Sequence, residues 1–391
     1  MKYKTYTMED ALDAIIDYRG KTPKKSESGI PTLSAKTVRN NFIDYNNCYY
    51  ISEEEYKRFM VRGFPKVGDI LLTTEAPLGM TAKLNRADVA IAQRLLTLRG
   101  KADILDNDYL LYFLQSPKGQ HLLKSHETGT TVTGIKQAVF RKLEISIPSI
   151  TVQKQIAMIL SSIDEKISVN TKINENLEQQ AQAIFRSWFV DFEPFGGVMP
   201  DDWRTGSLSE ICKYSKDKVN IEDLTLDTYY STENMQPNRQ GAVKATTLPS
   251  IKQTTACKKG DVLISNIRPY FKKIIYCFAD CGCSTDVLCF VPNRSKYSSF
   301  LYCTLYSDKF FDYIVAGSKG TKMPRGDKQQ IMMYPICIPS DAYIEKFNKA
   351  VLPMLETVYT NRLEADNLAM LRDTLLPKLI NGEIDVSQVQ I

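Results

Sequence analysis

The chain repeats itself at an offset of 191 residues, and no other feature restricts its fold as much. Gly129-Thr130 recurs as Gly320-Thr321, and Ile145-Ser-Ile-Pro-Ser149 recurs as Ile336-Cys-Ile-Pro-Ser340. With one residue of loop gained, Lys66-Val-Gly-Asp-Ile-Leu-Leu72 returns as Lys258-Lys-Gly-Asp-Val-Leu-Ile264, and Pro77 as Pro269. Internal repetition at this scale means that one structural unit is built twice. The expected order is a globular unit (1–150), a long helix (151–195), a second unit (196–340) and a second long helix (341–391).

The helices are read from a seven-residue beat. Positions a fall at Ile156, Ile163, Asn170, Leu177 and Ile184, and positions d at Leu160, Ile167, Asn174, Ala181 and Trp188. The offset carries the a set onto Phe347, Met354, Asn361, Leu368 and Leu375, and the d set onto Val351, Val358, Ala365, Arg372 and Leu379. Five heptads make a helix of roughly 55 Å at about 1.5 Å per residue. Asn170 and Asn361 occupy the same central a site, where an amide lowers stability and fixes register. The two helices are therefore expected to pair antiparallel with a fixed register. Such a pair would act as a ruler and relate the units by an approximate two-fold axis, as duplex DNA is related to itself. Thr151 and Asp341 are the expected N-caps, and Pro353 is expected to bend the second helix or to mark a later start.

Within the first unit, strands are expected at 68–74, 89–98 and 143–147, a short helix at 108–115, and a helix or strand at 8–17. The run DYRGKTPKKSESGIPTLSAKTVRNN reads as exposed loop. In the second unit strands are expected at 261–265, 273–277, 287–291 and 334–338, and a helix at 299–307. The fold class is α+β: two mixed α/β domains with curved sheets joined by a two-helix coiled coil.

Charge separates along the same boundaries. Residues 1–150 and 196–340 each carry +5, whereas 151–195 carries −2 and 341–391 carries −3. Basic globules on acidic rods suit a polyanion at one place and a protein at another. No apolar run reaches the roughly 18 residues of a spanning helix, and MKYKTYTMED lacks a signal-peptide core. A cytoplasmic protein without membrane contact is expected. Nine cysteines, eight of them from Cys212 onward, fit reduced thiols. Cys277, Cys281, Cys283 and Cys289 match no zinc spacing and read as small buried hydrophobes.

No catalytic apparatus, cofactor site or metal site is expected in this chain. Gly20-Lys21-Thr22 lacks the glycine of a phosphate loop, since position 15 is Ile. Arg268-Pro-Tyr-Phe271 is only a distant echo of an amino-methyltransferase motif. His121 and His126, the only histidines, are placed on a surface helix and the loop after it. What remains are basic, polar loops at matching places, where Arg, Lys and Thr suit base edges and phosphates. These are Arg19, Lys21, Thr22, Lys24, Lys36, Thr37 and Arg39, then Thr128, Thr130, Thr131 and Lys136. The second unit offers Arg268, Tyr270, Lys319, Thr321, Lys322 and Arg325.

Three strings, DYRGKTPKKSESGIPTLSAKTV, NLEQQAQAIFRSWFVDFEPF and LRDTLLPKLINGEI, together with the repeat, give the chain its likeness. It resembles the specificity subunit of type I restriction-modification systems over essentially its whole length. The resemblance implies a non-catalytic reader of double-stranded DNA with two target-recognition domains, each reading half of a split, asymmetric site. It implies that the helices set the spacer and dock two methyltransferase subunits, with a restriction subunit as a further partner. S-adenosylmethionine and ATP with Mg would be used by those partners, none being bound by this chain. The second unit has KYSKDKVNIEDL in place of the RGKTP loop, so its half-site should differ. The competing reading is a coiled-coil scaffold whose two globular modules bind proteins.

Overall fold

The computed structural model describes residues 2–129 and 133–387. Two compact units emerge, Met1–Ser168 with Ala365–Ile391, and Val169–Glu364. The division runs through the long helices, so each unit takes half of each helix as well as a sheet-rich body.

The first unit is built on an antiparallel four-stranded sheet in the order Leu12–Asp17, Leu95–Gly100, Ile70–Thr73, Thr81–Lys83. A three-stranded sheet lies beside it in the order Tyr49–Ile51, Ile30–Leu33, Ala90–Ile91, and Lys4–Thr7 pairs with Glu144–Ile147. The helix Asn107–Gln115 starts where Asp106 accepts the Asp108 and Tyr109 N–H groups, each at 3.0 Å, and buries every residue from Tyr109 to Leu114. Two expectations change here. The run at 89–98 is two strands in two different sheets, because Arg94 between them takes a left-handed conformation (φ +68°). The run at 17–41 is not all exposed loop: it contains Ile30–Leu33, and Tyr18, Leu33 and Val38 are fully buried. Its glycines, prolines and lysines describe the surface half of the run and hide the core half.

The second unit repeats the four-stranded order with Cys212–Tyr214, Val287–Pro292, Val262–Ser265 and Ile274–Tyr276. It adds a sheet ordered Lys218–Asn220, Gln253–Cys257, Cys281–Cys283, Tyr229–Tyr230. The helix Ser298–Tyr306 matches Asn107–Gln115 of the first unit. Cys257, Cys277, Cys281, Cys283 and Cys289 pack as reduced, buried side chains with Met235, Leu263, Ile275 and Val287. Cys277 and Cys281 lie 3.6 Å apart, sulfur to sulfur.

One turn exists in both units with a different electrostatic solution. Asp69, 1% exposed, receives the Lys66 N–H and a two-pronged ion pair from Arg99 at 2.8 and 2.7 Å. Its counterpart Asp261 receives the Lys258 N–H at 2.7 Å, but Val291 stands where Arg99 would be. Burial then pushes the Asp261 carboxyl above its ordinary range.

The long helices run Ile150–Phe189 and Asp341–Asn381. They begin earlier than expected. Ser149 O accepts the Gln153 N–H and Ser340 O the Ile344 N–H, so these serines, 191 residues apart, hold the cap positions in place of Thr151 and Asp341. Pro353 lies inside the continuous second helix and marks no later start. Pairing is antiparallel within each unit. In the first, Ile156 and Leu160 share a core with Leu376, Leu379 and Ile380, and Asp164 meets Arg372 at 2.8 Å. In the second, Asn174 meets Asn361, Glu178 meets Arg362, and Phe185 and Phe189 pack on Phe347.

The heptad reading holds for Ile156, Leu160, Ile163, Asn170, Asn174 and Ala181 of the first helix and for Phe347, Val351, Val358 and Leu379 of the second, all buried. Further on it slips by one position: Phe185 and Phe189 are buried while Ile184 and Trp188 are only half-buried. Likewise Leu355 and Leu376 are buried beside half-buried Met354 and Leu375, and Leu177, Asn361 and Leu368 are half-buried. A helix at 3.6 residues per turn drifts about 20° per heptad from a strict seven-residue repeat. Here its ends are docked on globular cores that favour the drift. Among the described residues no helix is long and apolar enough to cross a membrane.

Candidate nucleic-acid interface

In the first unit, the loop after strand Ile70–Thr73 is bracketed by a turn from far along the chain. Thr128 and Gly134 exchange N–H···O bonds at 2.8 and 3.1 Å, Gly134 bridges to Glu75, and the Ile135 N–H donates to Thr74 O at 3.0 Å. A Cβ at Gly134 would fall 2.5 Å from Thr74 O, so a side chain at this position of the first unit would force the turn to shift. The guanidinium of Arg19 then donates to Ile135 O at 3.0 Å, and Gln93 donates to Thr22 Oγ1 and to Lys21 O. Arg94 pairs with Glu75 at 2.8 Å.

The second unit has the same frame. Lys319 and Arg325 exchange N–H···O bonds at 3.0 Å, Arg325 bridges to Ile267, and the Gly326 N–H donates to Asn266 O. The bond from Thr74 N–H to Arg94 O has its counterpart in the bond from Asn266 N–H to Asp286 O. Side chains at the frame differ: Arg94–Glu75 in one unit becomes Arg325–Asp286, at 2.9 Å, in the other. At both loops buried polar atoms have no hydrogen-bond partner among the described residues: Arg19 Nε and Thr74 Oγ1 in the first unit, Asn266 Oδ1 and Arg268 Nε in the second.

The structure thus gathers Arg19, Lys21, Thr22 and Lys136 around one loop frame, and Arg268, Tyr270, Lys319, Thr321, Lys322 and Arg325 on or beside the other. Lys24 is exposed on the same run as Lys21, and its backbone N–H is held by Glu55. Lys36 and Arg39 are exposed, but on a separate turn, where Asn41 donates to Asp164 of the first long helix at 3.0 Å. Thr37 is 1% exposed and its hydroxyl bonds Ser34, which takes it off the surface. Thr130 and Thr131 lie outside the described residues. His121 and His126 are exposed, on and just after the helix Pro117–Lys124.

Sequence reading missed Gln93, Arg94, Glu75, Asp286, Arg239 and Phe271. Phe271 had a signal, sitting beside Tyr270 in the Arg-Pro-Tyr-Phe string that was read only as an echo. The ion pairs had none, because their partners are distant in sequence. Electrostatics across the second frame are strong for a surface: Arg239 and Lys272 share Asp308 at 2.6 and 2.5 Å and hold its carboxyl down at about 2. Asp327 similarly raises the Lys319 ammonium.

The family model described as Type I restriction modification DNA specificity domain matches residues 2–179. The MjaIX specificity subunit of a type I restriction enzyme from Methanocaldococcus jannaschii is 28% identical, covering 92% of this chain and 88% of its own. The HindI specificity subunit from Haemophilus influenzae is 22% identical over 75% of this chain and 81% of its own. The crystal structure of a type I restriction-modification S subunit from M. genitalium shares the fold with a TM-score of 0.65, at 17% identity over 97% of this chain and 96% of that one. Residues 2–179 thus match the type I restriction DNA specificity domain, and the chain along most of its length is similar to the specificity subunits of type I restriction enzymes.

Proposed function

We propose that this chain is the non-catalytic reading subunit of a type I restriction-modification complex, in which each unit reads one half of a bipartite, asymmetric DNA site. The observation that carries the reading is the loop frame, hydrogen-bonded the same way in both units but furnished with different side chains. A shared frame gives both units one way to approach a groove, and the differing tips give each its own sequence. The relatedness to specificity subunits supports the assignment.

On this reading the helices set the unread spacer. They also dock two methyltransferase subunits, which bring S-adenosylmethionine, and a restriction subunit that uses ATP and Mg joins those. Exposed apolar residues along the helices, such as Met158, Ile173, Met370 and Leu371, suit such docking. A pure scaffold would give the duplicated basic loops nothing to do.

The test is methylome sequencing of a host with and without this gene: a split methylated motif should vanish on deletion. Exchanging residues 1–150 for those of a relative should change one half of the motif only, and four residues added to each helix should lengthen its spacer. A motif that survives deletion would overturn the assignment.

A further inference from the structure

Tyr270 and Phe271 are 48% and 39% exposed, side by side with centroids 4.7 Å apart. Their loop is not free to fold them inward. Pro269 is buried, and the flanking Arg268 (φ +50°, ψ 60°) and Lys272 (φ +51°, ψ 48°) are both left-handed. Phe271 N–H donates to Arg268 O at 3.0 Å and Lys272 N–H to Pro269 O at 2.9 Å. Outward bonds clamp the loop on two sides: Arg268 N–H to Pro324 O (2.8 Å), Asn238 N–H to Phe271 O (2.8 Å) and Arg239 N–H to Lys272 O (3.0 Å). The same stretch of the first unit is Ala76-Pro77-Leu78-Gly79-Met80; it carries no ring, and Leu78 packs on the core.

Basic side chains surround them: Arg268 and Lys273 flank the rings, Lys273 donating to Thr232 O, and the hairpin bonded to the loop carries Lys322 together with Lys319 and Arg325, which pair with Asp327 and Asp286 and would exchange those carboxylates for phosphates. Two rings are far too small an apolar patch for a stable protein interface, which needs about 800 Å² per partner. Rigid rings behind a line of cations instead match a base stack behind its phosphates, where apolar wedges part a step and rings stack on any base.

Resting on the DNA-reading assignment above, we propose that Tyr270 and Phe271 form a wedge that partly unstacks one base step of the half-site read by the second unit. Pyrimidine–purine steps unstack most readily, so the wedge selects such a step. The first unit, lacking the rings, reads its half without unstacking.

The experiment uses the full chain in complex with its methyltransferase partners and duplexes of its methylated site carrying 2-aminopurine at one position at a time. Fluorescence should rise on binding at a step of the second half-site other than the methylated adenine. In the double variant Tyr270→Ala, Phe271→Ala the rise should disappear and affinity for the specific site fall at least tenfold, while the salt dependence and the readout of the first half stay as they were. Tyr270→Phe should keep both signals. If the wild-type complex binds its site specifically with no such rise, or the double variant retains rise and affinity, the wedge is refuted. If the wild-type complex does not distinguish its site from random duplex, the DNA-reading assignment itself falls, and the wedge with it.

Discussion

The polar layer inside the helix pair of the second unit makes a quantitative prediction. Asn170, 1% exposed, donates its amide to Glu364 at 2.7 Å and to Asn361 O at 3.4 Å, and Asn361 donates to Asn174 at 3.0 Å. The two a-site asparagines therefore do not simply face each other; Asn361 reaches a d-site amide one turn along. Replacing Asn361 alone by Leu leaves the buried Asn174 oxygen without its donor, which costs about 1–3 kcal/mol. Replacing Asn170, Asn174 and Asn361 together by Leu removes the mismatch. Two of those sites are buried, and each Leu there contributes about 1.5–3 kcal/mol, against about 1 kcal/mol for each neutral hydrogen bond lost and about 2 for the one to a carboxylate. The net should be near zero or stabilising by about 2 kcal/mol, a rise in Tm of roughly 4–8 °C for a unit of this size.

Thermal unfolding of the single, double and triple variants gives the coupling energy directly. Register is read separately, as the spread of spacer lengths in the methylated motif, which should widen in the triple variant only. If the triple variant loses as much stability as the singles summed, the three amides are not a coupled layer. If it is stable and its spacer stays sharp, they do not set register.

Other expectations follow from single contacts. Asp69→Asn should destabilise the first unit by about 3 kcal/mol, because it strands Arg99, 19% exposed, against a buried partner. At the matching position Asp261→Asn should stabilise the second unit at neutral pH. The folded Asp261 holds its proton to higher pH than the unfolded chain does, so its contribution worsens as pH rises from the ordinary carboxylate value to the folded one; urea titrations across that window should flatten in the variant. Arg362→Ala should cost about 3 kcal/mol by leaving Glu178, 13% exposed and already raised by burial, with only the Tyr306 hydroxyl, measured as a lower urea midpoint. Lys21→Ala should reduce the salt slope of DNA binding by about one unit while leaving the motif unchanged.

Elements repeated with strong periodicity were legible in the chain itself. The helix Asn107–Gln115, the strands 70–73 and 262–265, and the starts of the two long helices fall within a residue or two of where their patterns place them, whereas the long helices end at Phe189 and Asn381, short of the expected 195 and 391. What escaped were features whose cause is tertiary. The sheet containing Tyr229–Tyr230 is assembled from two-to-five-residue strands too short to show a period. The split at Arg94 depends on a left-handed residue that is not glycine, and the buried half of 17–41 is covered by a strand and helix from later in the chain. Among the candidate contacts, Thr37 has the same chemistry as Thr22, and only packing puts one inside and the other on the surface.

By itself, then, the sequence determined that one unit is built twice, that each is followed by an amphipathic helix, and that both carry basic loops after matching strands. Those properties live in local periodicity and in comparison of the chain with itself, which need no coordinates. The tertiary structure decided which loops share a frame, which carboxylate has an arginine, and which rings stand in water. Such outcomes turn on a few ångströms between residues as far as 208 positions apart, such as Asp164 and Arg372. They follow from how the cores close, and no local pattern encodes that.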